Sequence, residues 1–464
     1  MASVPLKRYT PDDRRVKMRP AASMFLIPGL RMEGQAMKEK AMRRRQFLGT
    51  SAAGAGVALT GLHQAATTRG VAFRGEAANE TIRVGVVGPG GRGTGLMTEC
   101  TTFGKRYNAR VTAVCDIWNQ RREAAAARIE ATYGKRPKVY RRLEEVLADD
   151  EIDAVIIATA DHQHAKMLKM AVEAGKDVYC EKPMANAIEE GNDALDAVRR
   201  TDRVVQIGTQ RRSDPKYRQA ARLVAEGAVG DVVKVDVIWN AYSPYRWAKK
   251  APELSALKQS DVDWPAFLMG KPARPFDPRI YRSFRLFRNF SSGIIDQWMT
   301  HGVDAVHLLT GTSFPLSAVG HGGIYKWHDY RENPDTVQIA LEYERDGQKF
   351  LATYATSLIN GAGSATRVHG TRGTLEAEKV WRLSGEGTNA RDRIAEPREI
   401  AEAPETLPHM ANWLDCVRRR DRQGLACPVE AGYGHSVACI MSTEALQEGR
   451  RMVFDPESRV IRPG

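Results

Sequence analysis

Residues 81–96 read TIRVGVVGPGGRGTGL, an apolar stretch rich in β-branched residues that runs directly into a glycine-rich loop. β-Branched residues favour strands, and the glycines follow the spacing G-x-G-x-x-G. Gly88 suits a tight turn, Gly90 lets the backbone approach a pyrophosphate, and Gly93 lets the following helix pack closely against the strand. The stretch therefore predicts the first strand, turn and helix of a dinucleotide-binding fold.

A second apolar stretch, residues 111–115, ends at Asp116, which lies 28 positions after Gly88, a little farther than is usual. A carboxylate there accepts hydrogen bonds from ribose hydroxyls and repels a 2′-phosphate, so we expect NAD as the cofactor, with NADP less favoured. Arg121 and Arg122 follow closely and temper that preference. A solvated aspartate at the end of a strand is the alternative.

The pattern of the chain divides it into two parts. From residue 81 to about residue 210, apolar strands alternate with helical stretches, which predicts a doubly wound, Rossmann-type α/β domain with a parallel sheet. Later segments such as VVKVDVIWNAY, TVQIALEYE and KFLATYATSL alternate apolar and polar residues, as antiparallel strands with one exposed face do. We expect a Rossmann domain over residues 78–212, then an α+β domain with a large open, mainly antiparallel sheet over residues 213–464. Its late helices are predicted over residues 410–419 and 436–448.

The positive charge of the protein is concentrated at its N-terminus. The 464 residues carry a formal net charge of +13, and residues 1–77 hold 14 Lys and Arg against 5 Asp and Glu. The remaining chain is therefore close to neutral. It shows no basic stripe with interleaved aromatic residues, so no nucleic-acid partner is expected.

The basic N-terminus contains an export pattern. Residues 43–49, RRRQFLG, precede the run TSAAGAGVALTGL, which together resemble a twin-arginine signal over residues 42–77. The run is too short and too rich in glycine to form a stable membrane anchor. We expect an exported, periplasmic bacterial protein that uses the twin-arginine export machinery; a solvated basic linker is the alternative. Residues 1–41 form a basic upstream extension that is not translated if Met37 or Met42 is the true start.

Polar side chains follow three successive strands of the predicted parallel sheet, where ligands of such sheets bind. His162 and His164 are one residue apart with no set of carboxylates nearby, which favours a substrate-edge or structural role over a metal site, and no metal is expected. The cysteines show no C-x-x-C pair, and we expect small buried residues, with a disulfide among the last three as the alternative. The expected cofactor-binding residues are Gly88, Gly90, Gly91, Arg92, Gly93, Asp116, Thr159, His162, His164, Glu181, Lys182 and Gln210.

The segments GVVGPGGRG, CD, ATADHQH and AGKDVYCEKPMA together resemble the glucose-fructose oxidoreductase, inositol dehydrogenase and MocA (Gfo/Idh/MocA) family. The Glu-Lys-Pro tripeptide at residues 181–183 is its most specific mark, and NPDTVQIALEY, VHGTRGTLEAE and MANWLDCV extend the resemblance over nearly the whole predicted mature chain. The resemblance implies a nicotinamide-binding domain, an open sheet used for a homo-oligomer (dimer or tetramer), and oxidation or reduction of a sugar or polyol carbon. It also implies that Lys182 binds the reacting hydroxyl and contacts the cofactor.

The second catalytic segment of that family usually reads D-x-G-x-H-x-x-D, and residues 293–304 depart from it. Aligning His301 and Asp304 places Gln297 where the family has its aspartate, while Asp296 stands one position early. His301 is the expected general acid/base, because its free pKa lies near neutral pH; a structural histidine on a helix is the alternative. Either Asp296 or Gln297 orients it, and on an α-helix Gln297 shares a face with His301.

Oxidation of a secondary alcohol needs a base for the hydroxyl proton, a donor to the oxygen and a nicotinamide over the carbon. We therefore expect an exported, NAD-dependent oxidoreductase of sugars or polyols with a tightly bound cofactor. A lyase or glycosidase that oxidises the sugar transiently is the second hypothesis, because no NAD pool exists outside the cell, and a non-catalytic sugar-binding relative is the third. Polar and aromatic residues that suit a carbohydrate ring or an acidic sugar, although most such residues are ordinary packing, are Tyr242, Tyr245, Arg246, Trp247, Tyr281, Arg282 and Arg285.

Overall fold

The structure is a computed structural model, and it describes residues 80–378, 380–385, 398–403 and 406–464. The expected twin-arginine signal and the upstream extension lie outside the described residues. Within the described ranges, none of the helices combines the length and the apolar character needed to cross a bilayer.

The first part of the described chain is a six-stranded parallel sheet with helices on both faces, as predicted. Its strands are β1 (Ile82–Val87), β2 (Ala109–Cys115), β3 (Lys138–Tyr140), β4 (Ala154–Ile157), β5 (Asp177–Cys180) and β6 (Val205–Ile207). Its helices are α1 (Gly91–Tyr107), α2 (Asn119–Tyr133), α3 (Leu143–Leu147), α4 (His164–Glu173) and α5 (Ile188–Arg199), and α6 (Pro215–Ala225) then leads into the second part. The strand order β3-β2-β1-β4-β5-β6 reverses between β1 and β4, and ligands bind at the carboxyl ends of strands around such a reversal.

The second part is a ten-stranded mixed sheet. Its strands are β7 (Val232–Ile238), β8 (Ser317–Gly323), β9 (Thr336–Arg345), β10 (Gln348–Ser357), β11 (Ala365–Gly370), β12 (Gly373–Ala377), β13 (Arg382–Gly385), β14 (Arg398–Glu399), β15 (Met452–Asp455) and β16 (Val460–Pro463). The strand order is β14-β13-β12-β11-β7-β10-β9-β8-β15-β16, which confirms the predicted open and mainly antiparallel sheet. One neighbour differs from the expectation: β7 runs parallel to β10, because a long connection with several helices separates the two strands in sequence.

The remaining helices cover this sheet and connect the two parts. They are α7 (Ala251–Ser255), α8 (Trp264–Leu268), α9 (Pro278–Ser283), α10 (Thr300–Thr310), α11 (His409–Arg419) and α12 (Val429–Glu448). Helix α12 begins well before the predicted residue 436 and includes two glycines, which lower helix propensity. A Cβ on Gly432 would lie 2.5 Å from Ile207 Cγ1, and one on Gly434 would lie 2.1 Å from the Ser313 carbonyl oxygen. These glycines are therefore needed for close packing.

Helix α11 completes the core of the first part, although it comes late in the sequence. Met410, Trp413 and Leu414 are buried in one apolar cluster with β1 residues such as Val84. The ring of Trp413 meets Tyr179 of β5 edge to face, with centroids 5.7 Å apart. Helix α11 therefore lies after the predicted boundary between residues 212 and 213 in sequence but packs in the core of the first part. All six cysteines are buried free thiols: Cys100, Cys115, Cys180, Cys416, Cys427 and Cys439.

Candidate functional site

A cleft of about 680 Å³ lies over the carboxyl ends of the parallel strands. One wall is formed by the glycine-rich loop after β1 and by the residues after β2, β4 and β5. The other wall comes from the second part of the chain and includes Trp239, Trp298 and His301. The cleft therefore brings together the nucleotide motif and the histidine that the sequence analysis selected as an acid/base.

The glycine-rich loop has the geometry that its sequence predicts. Gly88 has φ +79°, and a Cβ there would lie 2.8 Å from the Ala158 carbonyl oxygen. A Cβ on Gly93 would lie only 2.1 Å from the Gly88 carbonyl oxygen, whereas one on Gly91 would meet open space. Side chains are thus excluded where the loop packs on β4 and α1. The backbone N–H groups at the start of α1 remain available to a phosphate.

Asp116 lies at the end of β2 and lines the cleft, 5% exposed. Its Oδ1 accepts a hydrogen bond of 2.8 Å from the Trp118 backbone N–H. Burial raises the pKa of Asp116, and the charges of Arg121 and Arg122 oppose that rise. The two arginines are placed differently: Arg121 lines the cleft, while Arg122 donates to the Asp116 carbonyl oxygen at 2.7 Å. The carboxylate therefore lines the cleft at the carboxyl end of β2.

Most of the other expected cofactor residues also line the cleft: Gly90, Gly91, Arg92, Thr159, Glu181, Lys182 and Gln210. Arg92 Nε donates to Glu181 Oε1 at 2.7 Å, so these two side chains hold each other at the mouth of the loop. Burial lowers the pKa of Arg92, but the charge and hydrogen bond of Glu181, together with Tyr179 and Glu99, raise it by more. Gly93 does not line the cleft, because it packs under Gly88.

The two expected histidines occupy different places. His162 lies outside the cleft lining: its Nε2 contacts the Phe267 carbonyl oxygen at 2.8 Å, and Phe267 and Phe290 contact the ring edge to face. Burial lowers the pKa of His162 to about 4. His164 lines the cleft and donates from Nδ1 to the Pro183 carbonyl oxygen at 2.7 Å. His162 is thus a packing residue between the two parts, and His164 supports the segment that carries Lys182.

Lys182 lies in the cleft with its ammonium group held by backbone oxygens. Nζ donates to the carbonyl oxygens of Gln297 at 2.8 Å and Asp296 at 3.3 Å. Burial lowers the pKa of Lys182, and the charge of Asp161 is the largest of those that raise it. An ammonium has three N–H donors, so one remains for another acceptor in the cleft.

The carbonyls that hold Lys182 belong to a π-helical turn, Ile295–Met299, directly before α10. Such a turn contains one more residue than an α-helical turn. It explains why Asp296 stands one position early relative to the D-x-G-x-H pattern. The Asp296 carboxylate does not line the cleft; Oδ2 accepts from the Ser292 backbone N–H at 2.6 Å. Burial, with the charge of Asp161, raises the pKa of Asp296 to about 7.

Gln297 does line the cleft, and its partner is Asp161, not His301. Gln297 Nε2 donates to Asp161 Oδ2 at 2.6 Å, and Ser291 Oγ donates to the same oxygen at 2.6 Å. Within the described residues, Oδ1 of Asp161 has no such donor. Neither of the two candidates for orienting His301, Asp296 or Gln297, is hydrogen-bonded to that ring in the described part of the chain.

His301 lies on the first turn of α10 and lines the cleft near Trp239, with ring centroids 6.1 Å apart. Burial lowers the pKa of His301 well below its usual value, and the charge of Lys182 lowers it further. The ring is therefore neutral at pH 7 and can accept a proton, although it is a weaker base in this cleft than the near-neutral pKa of a free histidine implies. Asp304, one turn later, is turned to the interior, where Arg212 Nε donates to Oδ1 at 2.7 Å.

The cleft residues that were not among the sequence candidates include Asp161, Trp239 and Trp298. The two tryptophan rings stack with centroids 5.4 Å apart and 12° between their planes. Asp161 was detectable in principle, because it is the first carboxylate after β4, next to the reversal in strand order. The tryptophans were not, because nothing in the local sequence brings residues 239 and 298 together. The described residues form no group of three or more His, Cys, Asp or Glu that could hold a metal ion.

Comparison with known proteins agrees with this geometry. Residues 82–209 match the GFO_IDH_MocA family, described as an oxidoreductase family with an NAD-binding Rossmann fold. Inositol 2-dehydrogenase 1 of Saccharopolyspora erythraea is 36% identical over 178 residues, which cover 38% of this chain and 51% of the relative. Inositol 2-dehydrogenase of Rhizobium meliloti is 28% identical over 309 residues, covering 64% of this chain and 76% of the relative. The chain matches about half the length of the first curated relatives.

Solved structures share the fold. Aldose-aldose oxidoreductase from Caulobacter crescentus, complexed with glycerol, has a TM-score of 0.60 at 18% identity, covering 81% of this chain and 100% of that one. The WlbA dehydrogenase from Bordetella pertussis, in complex with NADH and UDP-GlcNAcA, has a TM-score of 0.59 at 18% identity, with coverage of 81% and 99%. At these identities the likeness establishes the architecture of both parts.

Proposed function

We propose that this chain, whose residues 82–209 match the Gfo/Idh/MocA oxidoreductase family, oxidises or reduces a CH–OH carbon of a sugar or polyol. One observation carries the proposal: Lys182 and His301 line the same cleft as the glycine-rich loop and Asp116. A nucleotide-binding cleft alone would need neither a buried ammonium nor a neutral imidazole beside it. The named dehydrogenase relatives favour net hydride transfer over transient oxidation by a lyase.

The residues present fit NAD. The loop at Gly88 and Gly93 has no room for a Cβ, so its backbone lies where a pyrophosphate can approach the start of α1. Asp116 supplies the acceptor for ribose hydroxyls. Bound nicotinamide supplies the hydride acceptor or donor.

His301 and Lys182 have different roles at the reacting oxygen. His301, neutral at pH 7 because burial lowers its pKa, takes the hydroxyl proton in the oxidative direction. The free N–H of Lys182 donates to the same oxygen and stabilises the negative charge that develops there. The two carbonyls of the π-helical turn fix that ammonium in place.

Asp161 has a positioning role in this proposal. Its Oδ2 is held by Gln297 and Ser291, and its charge favours the ammonium form of Lys182. Gln297 therefore connects the π-helical turn to a carboxylate on the opposite wall, instead of supplying a carboxylate itself. Asp161 Oδ1 is also placed to accept from a polyol hydroxyl.

Transfer of deuterium from substrate to cofactor tests the proposal. The purified protein is incubated with NAD⁺ and carbon-deuterated sugars or polyols, myo-inositol among them, and NADH is analysed by mass spectrometry. We expect deuterated NADH with wild type and a loss of about 10²–10⁴-fold in its rate of formation with Lys182→Ala or His301→Ala. Lys326→Ala and His328→Ala, both exposed, are the matched controls. Deuterium transfer that survives both cleft substitutions unchanged would contradict the proposed roles.

The proposal extends to location and assembly. The sequence pattern at residues 42–77 supports export by the twin-arginine machinery, and an exported enzyme needs a cofactor that it retains through turnover. The open face of the ten-stranded sheet carries exposed Val233, Val319 and Leu351 on different strands, which supports a homo-oligomer formed through that face. Native mass spectrometry of the purified protein measures both the retained cofactor and the number of subunits.

A further inference from the structure

Three arginines in the cleft have no carboxylate or hydrogen-bond acceptor for their guanidinium groups among the described residues: Arg121, Arg246 and Arg285. Arg285 is half-buried, and its guanidinium lies over the ring of Phe284, 4.4 Å from the centroid. Arg246, at the mouth, lies over Trp298 and Trp247, at 5.3 and 5.4 Å. Among the described residues, neither guanidinium has a carboxylate within 4.0 Å or a hydrogen-bond acceptor. A partly desolvated cation without a counter-ion is unfavourable and is relieved when an anion binds.

The charges around Arg285 also favour the binding of an anion. Burial lowers the pKa of Arg285. The charges of Asp161 and Glu181 raise it, whereas the charges of Arg246 and Arg121 lower it further. Burial also lowers the pKa of Arg246. Asp161 is the largest opposing charge on Arg285 but does not pair with it within 4.0 Å, so the protein compensates this guanidinium only in part, while Arg246 is exposed to solvent.

Of the other four cleft arginines, three have a carboxylate partner and Arg121 lies on the nucleotide loop. Arg92 pairs with Glu181 at 2.7 Å, Arg141 with Asp263 at 3.3 Å, and Arg282 with Glu253 at 3.6 Å. Arg121 lies against the glycine-rich loop, since a Cβ on Gly90 would be 3.1 Å from its Nη1. Arg121 and the start of α1 therefore serve the phosphates of the cofactor, which leaves Arg246 and Arg285 for another anion.

The position of Arg246 places that anion beside the reacting centre. Its guanidinium lies on Trp298, Trp298 stacks on Trp239, and the Trp239 ring lies next to His301. A sugar ring held there would carry its substituents towards His301 at one end and towards the guanidinium groups at the other.

We propose that the substrate carries an anionic group, a carboxylate or a phosphate, and that Arg285 together with Arg246 binds it. Guanidinium groups bind both anions through paired, charge-assisted hydrogen bonds. This inference rests on the proposed function and narrows its substrate class from sugars and polyols in general to their acids or phosphate esters. Arg285 contributes most, because it is the more buried of the two.

Binding measurements on the NAD-loaded protein test this inference without relying on turnover. The protein is titrated with D-glucuronate, D-galacturonate and D-glucose 6-phosphate, and in parallel with D-glucose, D-galactose and myo-inositol. Binding is followed by tryptophan fluorescence, because Trp239 and Trp298 lie in the cleft wall. Wild type should bind at least one anionic probe about tenfold or more tightly than its neutral counterpart. Arg285→Gln should lose about 10–100-fold in affinity for that probe and little for the neutral sugars.

Two further variants control for charge and folding. Arg285→Lys keeps the charge and should retain part of the preference, while Arg288→Gln, at an exposed neighbouring position, should retain all of it. Equal binding of charged and neutral probes by wild type would overturn the inference. So would an Arg285→Gln variant that weakens NADH binding but leaves the preference intact, because its guanidinium would then serve the cofactor phosphates.

The same samples separate this inference from the proposed function. Absorbance at 340 nm follows reduction of NAD⁺ by each probe. Anionic probes that bind through Arg285 without reducing NAD⁺ would support the inference and count against the dehydrogenase. Turnover of neutral polyols with no preference for anions would support the dehydrogenase and count against the anion-binding inference.

Discussion

Replacing Asp161 by asparagine should move the alkaline limb of the pH profile to lower pH. In the proposed mechanism Lys182 works as an ammonium, so activity falls as pH rises through its pKa. Burial lowers that pKa, and the charge of Asp161 partly restores it. Asparagine can still accept from Gln297 and Ser291 through its carbonyl oxygen, so the substitution removes the charge while keeping the shape. Without the charge the pKa of Lys182 falls further.

The size of the shift follows from the geometry. No described carboxylate pairs with the Lys182 ammonium within 4.0 Å, so the interaction with Asp161 acts over a longer distance. At an effective dielectric constant of about 20, unit charges 4 Å apart interact by about 4 kcal/mol, which is an upper bound here. We therefore expect a shift of about one pH unit, with about three as the limit. Asp296 responds to the substitution, because the charge of Asp161 no longer raises its pKa, and its own negative charge then offsets part of the shift. The other titratable or charged groups around Lys182 are Glu181, Arg285, His301, His435 and Cys439.

The assay is kcat against pH at saturating substrate and cofactor, from about pH 6 to pH 11. Asp193→Asn removes an exposed carboxylate on α5 and serves as the matched control. Thermal melting and NADH titration of each variant verify that fold and cofactor binding are kept. An alkaline limb that stays in place, or moves to higher pH, would refute the role given to Asp161.

Three further substitutions test other parts of the account. Gly93→Ala places a Cβ 2.1 Å from the Gly88 carbonyl oxygen, so it should lower the free energy of unfolding by about 1–3 kcal/mol and weaken NADH binding. Chemical denaturation and fluorescence titration measure the two effects; unchanged stability would show that the loop can shift to make room for the methyl group. Asp116→Ala should weaken NAD binding by about 1–3 kcal/mol while NADP weakens less or improves, and equal losses in calorimetry would mean that the carboxylate does not face the ribose. Replacing Arg44 and Arg45 by lysine should keep the precursor inside the cell; mature protein at wild-type level in the periplasmic fraction would count against the twin-arginine signal.

The fold was predictable because its signals are local. The strand at residues 82–87, the glycine spacing after it and the change to alternating apolar and polar residues after residue 230 each act over a few neighbours. The parallel pairing of β7 with β10 was not predictable in this way, because the two strands are far apart in sequence. The early start of α12 was missed for a related reason: Gly432 lies inside a helix only because Ile207 packs against it.

The candidate site shows the same division. Lys182 and His301 stand in motifs that can be recognised, and the cleft contains both. The orientation of Asp296 and Gln297 depends on a π-helical turn, whose extra residue rotates every side chain before it relative to an α-helix. An alignment of residue types does not contain that rotation. The contact between Gln297 and Asp161 joins residues 136 positions apart and could be found only from the structure.

The central claim is that Lys182 and His301 act on one oxygen of a substrate held in the NAD cleft. A double-mutant cycle tests it most directly: turnover is measured for wild type, Lys182→Ala, His301→Ala and the double variant, with NADH affinity measured for each. We expect a loss of about 10²–10⁴-fold for each single variant, and a double variant far less impaired than the product of the two losses. NADH affinity should stay within a fewfold of wild type. Wild-type turnover in both single variants, or losses that multiply fully in the double variant, would contradict the claim.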